Sequence, residues 1–73
     1  METINPLLAL KELGYDTRKP CRGHVLVEVL PNKFKTYAFR HRSGDGHVQC
    51  RLGRLVNCYK QPISGLLIFV LDA

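Results

Sequence analysis

Val25-Leu26-Val27-Glu28-Val29-Leu30-Pro31-Asn32-Lys33-Phe34-Lys35-Thr36-Tyr37-Ala38-Phe39-Arg40 is the stretch that decides how this chain folds. β-Branched, aliphatic and aromatic residues crowd both sides of the Pro31-Asn32-Lys33 step, which reads as strand, turn, strand. The strands are expected over about residues 24–30 and 34–42, with Tyr37 and Phe39 on one face and Thr36, Ala38 and Arg40 on the other. Ser43-Gly44-Asp45-Gly46 is the clearest turn in the chain. It leads into a third strand over residues 47–52, with Val48, Cys50 and Leu52 inward and Gln49 and Arg51 outward.

Downstream, Gly53 and Pro62 bracket a segment that reads as an irregular connection. Residues 64–71 are apolar on both faces, the pattern of a central strand or one covered by a helix. Upstream, Asn5 suits a helix N-cap, Pro6 the first helical position and Gly14 the stop, with Leu7, Leu8, Leu10 and Leu13 as the apolar stripe. A helix over residues 6–13 is only two turns long and does not stand alone in water. Its leucine face is therefore expected on the strand Leu66 to Leu71. The fold class that follows is α+β: one domain, with a short amino-terminal helix and a four-stranded antiparallel sheet.

The chain has 73 residues and a formal charge of +5. Residues 18–60 hold ten of the eleven Lys and Arg against only Glu28 and Asp45, a local balance of +8. Clustered basic charge is an electrostatic footprint for phosphate or another acidic surface. Lys33, Lys35, Arg40, Arg42, Arg51, Arg54, Tyr59 and Lys60 are the residues expected to carry a partner. Arginine pairs bidentately with phosphate, and an aromatic such as Tyr37, Phe39 or Tyr59 offers a platform for unpaired bases. For Tyr37 and Phe39 a place in the core is the competing reading.

The longest apolar run, Leu66 to Leu71, is far short of the ~20 residues that span a bilayer, so no membrane is expected. No secretory signal is legible at the amino terminus. Three cysteines point to a reducing, cytoplasmic setting rather than a disulfide framework.

Two mirrored pairs, Cys21-x-x-His24 and His47-x-x-Cys50, have spacing that suits two halves of a tetrahedral zinc site, with Cys58 and His41 as spare ligands. The competing reading is that free cysteine fills a core as a small apolar residue, and no cofactor is then expected. Catalysis has thin support. Cys50 or Cys58 with His41 or His47 is a candidate nucleophilic pair, but Glu28 and Asp45 are isolated. Gly44-Asp45-Gly46 lacks the lysine and helix of a phosphate-cradling loop. A binding module is expected, not an enzyme.

Gly23-His24-Val25-Leu26 with Glu28 and Leu30-Pro31-Asn32, then Asp45-Gly46-His47 with Cys50, Gly53-Arg54-Leu55 and the strand Leu66 to Asp72 carry a resemblance. Residues 23–72 resemble the oligonucleotide/oligosaccharide-binding fold of translation initiation factor 1 and its eukaryotic and archaeal counterpart, factor 1A. The resemblance implies a five-stranded barrel, here partial or closed by the amino-terminal segment or by a second chain. It also implies binding of RNA or the ribosome through the outer sheet face. The partner expected is RNA or another single-stranded nucleic acid. The alternative is a nucleic-acid-binding host protein, blocked by a phage- or plasmid-type inhibitor.

Overall fold

Asn5 ends the chain's first extended segment and starts its helix: its side-chain Oδ1 accepts from Leu7 N–H at 2.8 Å. Pro6 occupies the first helical position, where no backbone donor is needed. Helix α1, Pro6–Glu12, ends at Leu13, and Gly14 at φ +98° lets Gly14 N–H reach Lys11 O and Tyr15 N–H reach Leu10 O, both at 3.0 Å. That double bond pattern satisfies carbonyls the helix end would otherwise orphan. Leu10 and Ala9 are fully buried, while Leu8 and Leu13 are about half exposed. The helix packs chiefly against residues 53–60, and Leu10 and Ala9 share one core with Phe69 of the 66–71 stretch that the leucine stripe suggested.

The computed structural model describes residues 2–72, and they form an α+β fold that is mostly sheet. The strands are β1 (Thr3–Ile4), β2 (Cys21–Leu30), β3 (Lys33–His41), β4 (Val48–Cys50), β5 (Gly53–Lys60) and β6 (Leu67–Leu71). From β2 to β6 each strand lies antiparallel beside the next, and β6 then pairs parallel with β2. Five strands thus make a ring, and β1 pairs with the far end of β5.

Three expectations are corrected here. The sheet has six strands rather than four, and it is mixed rather than purely antiparallel. Residues 53–60 are a strand, not an irregular connection. The third strand ends at Cys50, so Leu52 lies in a turn and is exposed instead of pointing inward. The ring is also a meander in which chain neighbours are sheet neighbours, whereas an oligonucleotide-binding barrel is a Greek key. It is thinly joined at one place, because β3 meets β4 through Phe39 and Arg40 alone. Residues 33–38 of β3 have no strand partner on that edge. Lys33 and Lys35 stand there, a charge placement that discourages edge-to-edge pairing.

Strand alternation sorts the side chains. Val25, Val27, Phe39, Val48, Cys50, Leu55, Cys58 and Phe69 point inward and meet Leu10 and Ala9 in one core. Tyr15 caps it by packing edge-on to Phe39, with ring centroids 5.0 Å apart. Gly23 makes room for this, since a Cβ there would overlap the Tyr15 ring. Ile68 is equally buried but lies outside that core, on the outward side between Leu26 and Tyr59.

Candidate functional site

The turn at Pro31-Asn32 sets the register of the β2–β3 hairpin, with Asn32 taking the left-handed conformation at φ 60°. A bulge between Glu28 and Leu30 then shifts the pairing by one residue, and beyond it Arg22 lies directly opposite Arg40. The next pairings put Arg40 opposite Gln49 on β4 and Gln49 opposite Arg54 on β5. Arg22, Arg40, Gln49 and Arg54 therefore form a row across four strands on the outer face, spanning about 14 Å at the usual strand spacing. All four are exposed.

Directly opposed side chains have Cβ atoms ~4.5–5.5 Å apart, and like charges in that position destabilise a sheet. Arg22 and Arg40 are such a pair. Among the described residues, no carboxylate lies within salt-bridge distance of Arg22, Arg40, Arg42 or Arg51. Arg54 differs, because its Nη2 meets Asp72 Oδ2 at 3.3 Å. Arg40 lies at the meeting point of three shallow depressions. One of about 420 Å³ runs between Arg22, Arg40, Gln49 and Arg51; a second, about 390 Å³, between Arg22, Arg40 and Arg42; the third, about 260 Å³, includes His47 and Asp45.

Beneath this surface His41 is buried and ties two loops together. Its Nδ1 lies 3.1 Å from His47 O and its Nε2 3.2 Å from Thr17 O. Both partners are backbone carbonyls, so the ring nitrogen that carries hydrogen donates to the loop it faces. The ring thereby holds the 43–47 turn and the 15–20 loop against the arginine end of the hairpin.

Of the residues expected to carry a partner, Arg40, Arg42, Arg51 and Arg54 come together. Lys33 and Lys35 do not: they lie some 20 Å away along β3 and, by alternation, on the opposite side from Arg40. Lys60 is drawn to Glu12 of the helix at 3.8 Å. Tyr59 donates its hydroxyl to Glu28 Oε1 at 3.1 Å, at the other end of the face. Burial, followed by this bond, raises the Tyr59 pKa and keeps the hydroxyl a donor. Tyr37 and Phe39 belong to the core side, so the arginine row carries no aromatic platform. Arg22 was absent from the expected set because β2 begins three residues earlier than the valine pattern suggested; counting from Pro31-Asn32 alone would set it opposite His41, and the bulge between Glu28 and Leu30 brings it to Arg40.

The zinc expectation is not met by the geometry. Cys21 and Cys50 lie on the inner face, while His24 and His47 are exposed on the outside, so the four do not converge. Among the described residues no three His, Cys, Asp or Glu side chains are placed to hold a metal ion. Cys58 is buried, and burial with Glu12 nearby pushes its thiol up to about 11, the reverse of nucleophile activation. All three cysteines are free thiols. No helix among the described residues is long and apolar enough to cross a membrane. No protein-family model, curated protein or solved structure matches the chain.

Proposed function

We propose that this chain is a small non-catalytic module that binds nucleic acid, RNA in particular, through phosphate contacts on the outer face of β2, β3 and β4. The observation that carries this reading is the opposed pair Arg22 and Arg40, which no acid among the described residues pairs with. A phosphate between two guanidinium groups removes their repulsion and accepts charge-assisted hydrogen bonds from both. Gln49, lying between Arg40 and Arg54, adds a neutral donor and acceptor of the kind that meets a ribose 2′-hydroxyl. The initiation-factor resemblance implied the same outer face, with RNA or the ribosome as the target.

Fluorescence anisotropy of a labelled single-stranded RNA across a salt series tests the proposal. Arg22→Ala, Arg40→Ala, Arg42→Ala and Arg51→Ala should each reduce the slope of log affinity against log salt by about one. Lys60→Ala should leave the slope unchanged, because Lys60 already faces Glu12. An unchanged slope in all four arginine variants would remove this reading.

A second reading, a protein partner blocked by the chain, is favoured by Leu8 and Leu13, which remain about half exposed on the helix. Co-elution of a host protein at equal stoichiometry in high salt, lost in Leu8→Ala, would support it over nucleic acid.

A further inference from the structure

At the other end of the outer face, Asn32, Phe34, Tyr59, Gln61, Pro62 and Ile63 line a cleft of about 460 Å³. We infer that this cleft receives an unpaired nucleobase of the same strand whose phosphates lie on Arg22 and Arg40, so that the protein selects single strands over duplexes. The inference rests on the proposed function and adds to it the state of the nucleic acid and a second contact point.

Position supports the assignment. Phe34 and Arg40 are both outward residues of β3, six residues apart, so the cleft and the arginine row lie about 20 Å apart on one continuous face. A strand long enough to cross that distance is comparable to the ~4–16 nucleotides that single-strand-binding folds of the oligonucleotide-binding type engage. The cleft is also prepared before any ligand arrives. Tyr59 is pinned through its hydroxyl to Glu28, and Glu28 Oε2 accepts from Asn32 N–H at 3.2 Å. Gln61 Oε1 accepts from Ser64 Oγ at 2.8 Å, which turns the amide and leaves its NH₂ to donate.

Two aromatic rings with two side-chain amides at the rim match a flat heterocycle that has polar edges. Stacking supplies affinity, and the amides of Asn32 and Gln61 meet the base edge. A paired base presents neither its faces nor its Watson–Crick edge to such a cleft. Ile63, in the 61–65 turn, is fully exposed and lines one side of the cleft.

The experiment measures binding of a single-stranded RNA octamer, an abasic octamer with the same backbone, and an eight-base-pair RNA duplex, to the wild-type chain and to Phe34→Leu. The wild type should prefer the base-bearing octamer over the abasic one by roughly five- to hundredfold, the range of a base–aromatic contact. Phe34→Leu should erase that preference while leaving the salt slope as it was, and the duplex should bind no better than the abasic strand. Leucine keeps the hairpin's apolar volume, and a thermal melt checks that the variant folds. Quenching of tyrosine fluorescence in the unaltered protein, by the octamer and not by its abasic form, gives an independent readout.

Equal binding of base-bearing and abasic strands with a normal salt slope would overturn the cleft assignment and leave the arginine proposal standing. So would a proline-rich peptide, the other ligand of aromatic-lined grooves, that binds the cleft without competing with RNA. Absence of salt-dependent binding to any of the three would overturn both.

Discussion

At one end of the outer β2–β3 face Glu28 stands opposite Phe34, and its carboxylate accepts from both Tyr59 Oη and the Asn32 N–H. At the other end Arg22 stands opposite Arg40, and among the described residues no acid is within salt-bridge distance of either. The two ends come from one hairpin and share one core, yet only the first is satisfied from within. A sheet that can place Glu28 beside a hydroxyl and an amide could as readily place an acid beside Arg22. Leaving a like-charged pair there costs stability, a cost that an anion from outside would offset on the proposed reading. The contrast separates what holds the domain together from what it is proposed to offer a partner.

The largest effect should come from below both ends. Leu10→Ala removes a fully buried side chain from the shared core and should cost ~2–5 kcal/mol, read by chemical denaturation. Leu8→Ala, on the exposed side of the same helix, should stay within ~0.5 kcal/mol. Equal losses in the two would mean that the helix packs differently from the arrangement described.

Alkaline pH attacks the same core through Cys58. Its folded pKa is raised from 9.0 to about 11, so its contribution is complete below 9 and is lost as pH rises toward 11. Tyr59 is shifted in the same direction, chiefly by burial, and acts with the same sign. Denaturation midpoints should therefore fall across that window, and Cys58→Ala should flatten the fall. A midpoint independent of pH between 9 and 11 in the wild type would contradict this.

Tyr59→Phe tests the satisfied end alone. Losing the hydroxyl leaves Glu28 with one partner and should lower stability by ~0.5–1.5 kcal/mol, with no change in the salt slope of RNA binding. Loss of slope would mean that the two ends are not separable.

The smallest effect on stability, and the sharpest on the comparison, belongs to Arg40→Glu. Opposite Arg22 it replaces repulsion by attraction and should raise stability by ~0.2–1 kcal/mol while abolishing RNA binding. A destabilised variant would show that the opposed arginines are not a strain on the apo fold.

The sequence was explicit where the signal is local. Asn5, Pro6 and Gly14 bound the helix through capping chemistry contained within a few residues, and Pro31-Asn32 placed the first hairpin. It misled where neighbours in space overrode local pattern. In β5 the buried Leu55 and Cys58 are three residues apart because a bulge between Leu55 and Asn57 breaks the period of two, and the strand looked irregular. The pairs Cys21/His24 and His47/Cys50 have ligand spacing, but three-residue spacing within β2 sends Cys21 and His24 to opposite faces, and His47 lies exposed just before the strand that buries Cys50.

Composition and its distribution determined that this is a small basic α+β domain with its charge on the sheet, because net charge and strand-forming tendency are properties of residues and their near neighbours. Tertiary structure alone decided that β6 closes the ring by running parallel to β2, and that Arg22 meets Arg40 while Lys60 is taken by Glu12. The physical reason is register. A shift of one residue exchanges the faces of a strand, and the register of distant strands is set by the shared core rather than by any segment of the chain.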